Sequence, residues 1–147
     1  MQIRLFNVPT KFKADEIKSA LNFFAESLMH KNLSRNINVR VCFGEDLENT
    51  TVWEDDNSRP REFTITVNSK VGYRTTLLTL AHEMVHVKQY ATGELRDALR
   101  GPTLHRWRNK PYDAKVVDYC DHPWELEAYG REYGLYLRFR EKGKKNG

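Results

Sequence analysis

Between Leu77 and Val87 the sequence reads LLTLAHEMVHV, and this run limits the fold more than any other part of the chain. The spacing predicts a helix from Tyr73 to about Tyr90, ended near Gly93. Leu77, Leu78, Leu80, Ala81, Met84, Val85 and Val87 cover so much of its circumference that it must be largely buried. His82, Glu83 and His86 interrupt this apolar surface. Polar groups taken out of water without partners cost several kcal/mol. The rest of the chain therefore has to close around these three side chains and give them something to bind.

The interruption reads His82-Glu83-Met84-Val85-His86, which is HExxH. Histidines four apart project from one face of a helix, one turn from each other, so their imidazoles can converge on one tetrahedral zinc ion. A zinc ion held there lowers the pKa of a water towards neutrality, and Glu83 is placed to take that water's proton. Without a metal, His82 and His86 would be core histidines and Glu83 would need a cation such as Arg74. Two histidines need a third protein ligand. The extended HExxHxxGxxH pattern is absent, because Gln89 and Thr92 occupy its last two defined positions.

A later helix, expected from Pro123 to about Arg140, offers one. Trp124, Leu126, Ala128, Tyr129, Tyr133, Leu135, Tyr136, Leu137 and Phe139 form a broad apolar arc with Glu125 near its middle. Glu127 points almost the opposite way, beside Arg131 and Arg138. A carboxylate centred on a buried face requires a metal or a cation. Glu132 shares the inward face as a partner for a ligand or an ion pair, and Ala128 lets the two helices approach closely. His105 is the rival third ligand; Glu94, Asp97, Asp118, Asp121 and His122 are weaker ones. Tyr112, Tyr119, Arg108 and His105 lie in the intervening connection, any of them able to donate a hydrogen bond to a developing oxyanion.

The remainder reads as one α+β domain. Gln2 to Val8 opens extended, and Ile17, Leu21, Phe24 and Leu28 give an amphipathic helix from Ala14 to Met29. Alternation predicts strands at Ile37 to Phe43 and Glu62 to Asn68. The acidic stretch between them reads as a long hairpin connection, with Thr51 to Trp53 as a further short strand. From Gly101-Pro102 onward an irregular, basic and aromatic connection is expected. Cys42 and Cys120 lack CxxC spacing, which excludes a four-cysteine metal site and a disulfide framework; both read as buried thiols. No apolar run is long enough to span a bilayer and Met1 to Lys13 lacks a secretory pattern, so a cytoplasmic location is expected, with no membrane partner. The net charge is +4, and only residues 141–147, preceded by Arg138 and Arg140, are lopsidedly basic. That end reads as a frayed, solvated tail able to make at most weak nucleic-acid contact.

AHEMVHVKQ, paired with a helix opening HPWELEA, resembles the gluzincin division of zincin metallopeptidases, especially the single-domain minigluzincins, with SprT-like domains as the nearest alternative. The resemblance covers about Leu77 to Leu137. It implies a zincin-like fold, a small twisted sheet packed on an N-terminal helix and the HExxH helix and followed by a glutamate helix. It also implies one Zn2+, held by His82, His86 and Glu125 with Glu83 as general base, and peptide or protein substrates. Many gluzincins carry an aspartate four residues after the ligand glutamate, supporting a zinc histidine; Tyr129 stands there. A SprT-like relationship would instead imply a third histidine, favouring His105, and a DNA-associated protease. A metal-bound interaction module without turnover and a metal-free structural protein are the readings outside enzymology.

Overall fold

The computed structural model describes residues 1–97 and 104–146. Two small sheets and four α-helices make an α+β fold. The larger sheet has the order β1-β2-β4-β3: β1 (Gln2–Phe6), β2 (Asn38–Gly44) and β4 (Glu62–Asn68) run parallel, and β3 (Thr50–Trp53) lies antiparallel to β4 at the edge. Alternation sets which side is buried: Val39, Val41 and Phe43 of β2 stand in register with Phe63, Ile65 and Val67 of β4, all buried.

The helices α1 (Ala14–Leu28), α3 (Tyr73–Ala91) and α4 (Pro123–Asn146) join this apolar face in one core, while α2 (Lys31–Arg35) is a single short turn after α1, capped by the His30 side chain. Ile17, Ala20, Leu21 and Phe24 of α1 are fully buried, and Phe139 of α4 packs on Phe23 and Phe24. The three-to-four spacing read along α1 is therefore the real buried stripe.

Several expectations are corrected. The two alternating strands pair parallel, so the acidic stretch is not a hairpin between them; it crosses over, forms β3, and only then turns back into β4. Alternation identifies a buried face but carries no information on strand direction. The Asp55 carboxylate closes that return by accepting the backbone N–H groups of Arg61 and Glu62. The connection after α3 is more regular than expected. It contains β5 (Leu95–Asp97), β6 (Leu104–Trp107) and β7 (Lys110–Asp113) in a second antiparallel sheet, then a 3-10 turn at Tyr119–Asp121. Its β6–β7 turn uses Arg108 and Asn109, both at positive φ, where the sequence carries none of the usual Asn-Gly signal. Gly101-Pro102 lies outside the described residues.

The helix α4 continues to Asn146, beyond the end expected near Arg140, and Arg140 and Lys142 lie over the rings of Tyr73 and Phe23. Its buried face is narrower than the sequence implied: Leu126, Tyr129, Tyr133 and Leu137 are exposed, leaving Trp124, Glu125, Ala128 and Leu135 inside. Cys120 is exposed and Cys42 half-buried, so neither is a fully buried thiol. No helix among the described residues is long and apolar enough to cross a membrane.

Candidate metal centre

The crossing of α3 and α4 brings His82, His86 and Glu125 together. One donor atom from each lies within 4.8 Å of the others, and all three residues are buried. The imidazole Nε2 atoms stand 3.2 Å apart, and the Glu125 carboxylate reaches both, Oε1 at 2.7 Å from His86 and Oε2 at 3.3 Å from His82. Ala128, fully buried one turn beyond Glu125, keeps the helix spacing short. Burial pulls the Glu125 carboxyl upward, but the hydrogen bonds from His82 and His86 outweigh it and hold the group well below the usual carboxylate range. Although burial opposes it, the same carboxylate raises His86. This buried His/His/Glu group can hold a metal ion.

Each of these three side chains has a further polar neighbour. Gln89, one turn after His86 and fully buried, places Oε1 2.8 Å from His86 Nδ1. Its amide nitrogen faces two groups that can only accept, the Trp124 carbonyl at 2.8 Å and Glu127 Oε1 at 3.0 Å. The oxygen must therefore be the atom facing His86, which puts the proton on Nδ1 and leaves Nε2 free as a donor to a metal. Glu132 Oε1 stands 3.8 Å from His82 Nδ1. Burial pushes the Glu132 carboxyl above its ordinary value. The Tyr119 hydroxyl donates to Glu125 Oε2 at 2.8 Å.

Glu83 leaves the cluster on the side of the sheet edge. Its carboxylate is buried, with Oε2 4.0 Å from His82 Nε2, and Thr51 of β3 donates to Oε1 at 2.9 Å. Burial, the largest influence, pushes the Glu83 carboxyl up against the pull of His86, His82 and the Thr51 hydroxyl. Arg74 does not reach it and instead lies over the rings of Tyr133 and Tyr136. A carboxylate so placed can take a proton beside a metal and return it.

Comparison with family models, curated proteins and solved structures finds no match.

The other candidates divide cleanly. Tyr119 and Glu132 stand at the cluster, whereas His105, Tyr112 and Arg108 do not. His105 hydrogen-bonds Asp97 at 3.1 Å and rests on the Trp124 ring, as do Tyr112 and His122. Arg108 pairs with Glu94 at 3.0 Å. Asp118 and Asp121 are exposed beside the 3-10 turn. Glu127 is not turned from the core, as its helical phase implied: buried Lys88 bonds both its oxygens, at 2.8 and 2.7 Å, and also reaches Glu94 at 2.7 Å. Sequence reading missed Thr51, Lys88 and Gln89. For Gln89 the signal was present, since it follows His86 by three residues on the same helix face.

Cavities flank the cluster along α3. One of about 200 Å³ holds His82, His86, Glu83, Tyr119 and Glu125 under Thr50 and Thr51. A wider one of about 440 Å³ continues past His82 between Leu47, Glu48 and Asn49 on one wall and Tyr119, Tyr129 and Glu132 on the other. The outer edge of β3 runs beside them. Backbone bonding of Glu54 to Glu62 fixes the alternation, so Thr51 and Trp53 turn their N–H and C=O groups away from β4.

Proposed function

We propose that this chain is a zinc-dependent metallopeptidase of the gluzincin type. The observation that carries the reading is the convergence of His82, His86 and Glu125 in a buried cluster with Glu83 beside it. Two imidazoles and one carboxylate are a zinc donor set that leaves a fourth position open. Ligands about 2.0–2.1 Å from a tetrahedral ion lie about 3.3 Å apart; the two Nε2 atoms stand 3.2 Å apart, and each meets a different oxygen of Glu125, Oε1 at 2.7 Å from His86 and Oε2 at 3.3 Å from His82, so the carboxylate is within reach of an ion shared by both imidazoles. A zinc ion there supplies a Lewis acid that acidifies a water and polarises a carbonyl.

The chain's own residues do the rest. Glu83, raised by burial and steadied by Thr51, takes the proton of the attacking water and later delivers it to the leaving amine. Gln89 holds His86 in the required tautomer, and Glu132 faces the far nitrogen of His82. Tyr119, half exposed beside Glu125, would serve as the donor for the developing oxyanion by turning its hydroxyl away from Glu125 Oε2, to which it donates in the free protein. An extended peptide lies along the unpaired edge of β3, making backbone bonds with Thr51 and Trp53. That assigns the substrate edge to β3 and not to β4, which is interior.

The placement of His105 on Asp97 and Trp124, away from the cluster, supports the glutamate ligand over the third histidine of SprT-like domains. The antiparallel edge over the HExxH helix, followed by the Glu125 helix, supports a zincin fold.

Elemental analysis of the purified protein tests the metal: near-stoichiometric zinc is expected, lost in Glu125→Ala and kept in Glu127→Ala and His105→Ala. Turnover of an unstructured protein such as casein tests the reaction. Glu83→Gln should retain zinc and lose about 10²–10⁴-fold in kcat; full activity in that variant removes Glu83 from the mechanism.

A further inference from the structure

Beyond the metal cluster a third cavity, of about 370 Å³, opens at the other end of β3, walled by Trp53 and Tyr90 and backed by Pro60 and Leu95. The Trp53 and Tyr90 rings meet with centroids 4.8 Å apart, and Pro60 and Leu95 are buried. Tyr90 lines this cavity and the metal cavity alike. His82, His86 and Tyr90 are each four residues apart on α3, so all three face the same cleft. From this geometry we infer that the Trp53–Tyr90 cavity is a specificity subsite, which takes one aromatic or large aliphatic side chain of the peptide substrate.

The spacing commits the occupant. Four residues of α3 advance about 6 Å from His86 to Tyr90, and two residues of an extended peptide advance about 7 Å. A peptide bonded to the outward backbone of Thr51 and Trp53 therefore delivers one side chain into this cavity when the residue two places away lies at His82, His86 and Glu125. The wall chemistry fixes the class. Two aromatic rings, a proline and a leucine offer apolar area and ring stacking. The charged groups sit at the rim and two already have partners, Asp97 with His105 and Arg96 with the Gly93 carbonyl. The wide cavity on the other side of the metal cluster also carries Leu47, Tyr119 and Tyr129, but sets them among Glu48, Glu132, Asn49 and Asn68, a mixed lining that suits a polar occupant better than a bulky apolar one. Selectivity for bulky apolar residues accordingly belongs to one position, on one side of the bond that is cut.

This inference rests on the peptidase reading for its substrate, so binding and turnover are measured separately. Blocked hexapeptides of alanine, with Phe, Leu, Lys, Glu or Gly walked through each position, are titrated against zinc-loaded Glu83→Gln protein by fluorescence anisotropy. Phe or Leu at a single position should tighten binding about ten- to hundred-fold over Gly, the gain that burial of one such side chain supports. Trp53→Ala should erase that gain, bringing the ratio of Phe-peptide to Gly-peptide affinity down to about one. Ser58→Trp, at an exposed residue on the cavity wall, should block the cavity without touching the core and give the same result if Trp53→Ala fails to fold. No peptide binding, no positional preference, or a preference unaltered in Ser58→Trp overturns the subsite. The unmodified protein is then assayed for cleavage of the same peptides: preferential binding with no cleavage sinks the peptidase reading and leaves the subsite standing, whereas cleavage with no preference sinks the subsite alone.

Discussion

A single buried amide decides which nitrogen of His86 is free. Gln89 is locked by two acceptors at its NH2 end, so its oxygen can only face His86 Nδ1. Gln89→Leu would keep the volume and remove that acceptor, and partners of this kind are typically worth 10–100-fold in metal affinity. A competitive chelator titration should show zinc binding weakened by about that factor, while a merely structural role would lower the melting temperature and leave the affinity of the folded protein unchanged. His82, Glu83 and His86 were legible because a helix that is apolar almost all round cannot hide three polar groups idly. Glu125 was legible for the same reason. Tyr119 and Glu132 could be named from the sequence but not ranked, since Tyr119 reaches Glu125 through a 3-10 turn and Glu132 meets His82 only when the two helices cross. Thr51 was beyond reach, because its role depends on the direction in which a neighbouring strand runs.

At the scale of elements, the metal cluster is a property of one helix pair, and its second fastening is ionic. Lys88, buried on α3, holds Glu127 of α4 and Glu94 of the segment before β5, while Arg131 and Arg108 balance the charge from outside. Removing one partner of a buried pair leaves an uncompensated charge and costs about 3–5 kcal/mol. Lys88→Met should therefore lower unfolding free energy by about that much in denaturant titration of the metal-free protein, with Glu127→Gln added to it recovering part of the loss. Burial raises the Glu127 carboxyl, but Lys88 and Gln89 overcome this and set it below its ordinary 4.5. Its contribution is thus present above the ordinary value of 4.5 and disappears as pH falls through the lower folded-state value; Glu127→Gln should show a shallower loss of stability on acidification below 4.5 than the unmodified protein. The helices α1, α3 and α4 were legible from their spacing. The parallel pairing of β2 and β4 and the small second sheet were not, because alternation is blind to strand direction and the Arg108-Asn109 turn carries no glycine.

For the molecule as a whole, the sheet and α1 form a base on which two ligand-bearing helices are laid, and the metal cluster joins α3 to the chain's last helix across a long sequence separation. A ligand that binds only the folded arrangement stabilises it by mass action, by about 2.7 kcal/mol at a free concentration one hundred times Kd. Zinc should accordingly raise the melting temperature of the unmodified protein in proportion to the logarithm of its free concentration, and Glu125→Ala should abolish the effect; an equal rise in that variant would show that the ion binds elsewhere. The chain's α+β class, the burial of its HExxH helix and the three residues that could hold a metal ion could be read from residue order. How the strands are ordered and what fills the cleft depended on contacts between segments far apart.

The β3 edge has a further consequence for how the protein lives among copies of itself. An unpaired strand edge is a template for any other strand, including the same strand of a neighbour, and chains commonly guard such edges with brevity and charge. Here the exposed strand spans only Thr50–Trp53, with Glu48 and Glu54 at its two ends. Two such edges brought face to face would oppose carboxylate to carboxylate, whereas a passing peptide of neutral or basic character meets no such repulsion. On the peptidase reading, the acidic stretch would thus sort what approaches the opening, favouring a foreign neutral or basic strand over a second copy of its own.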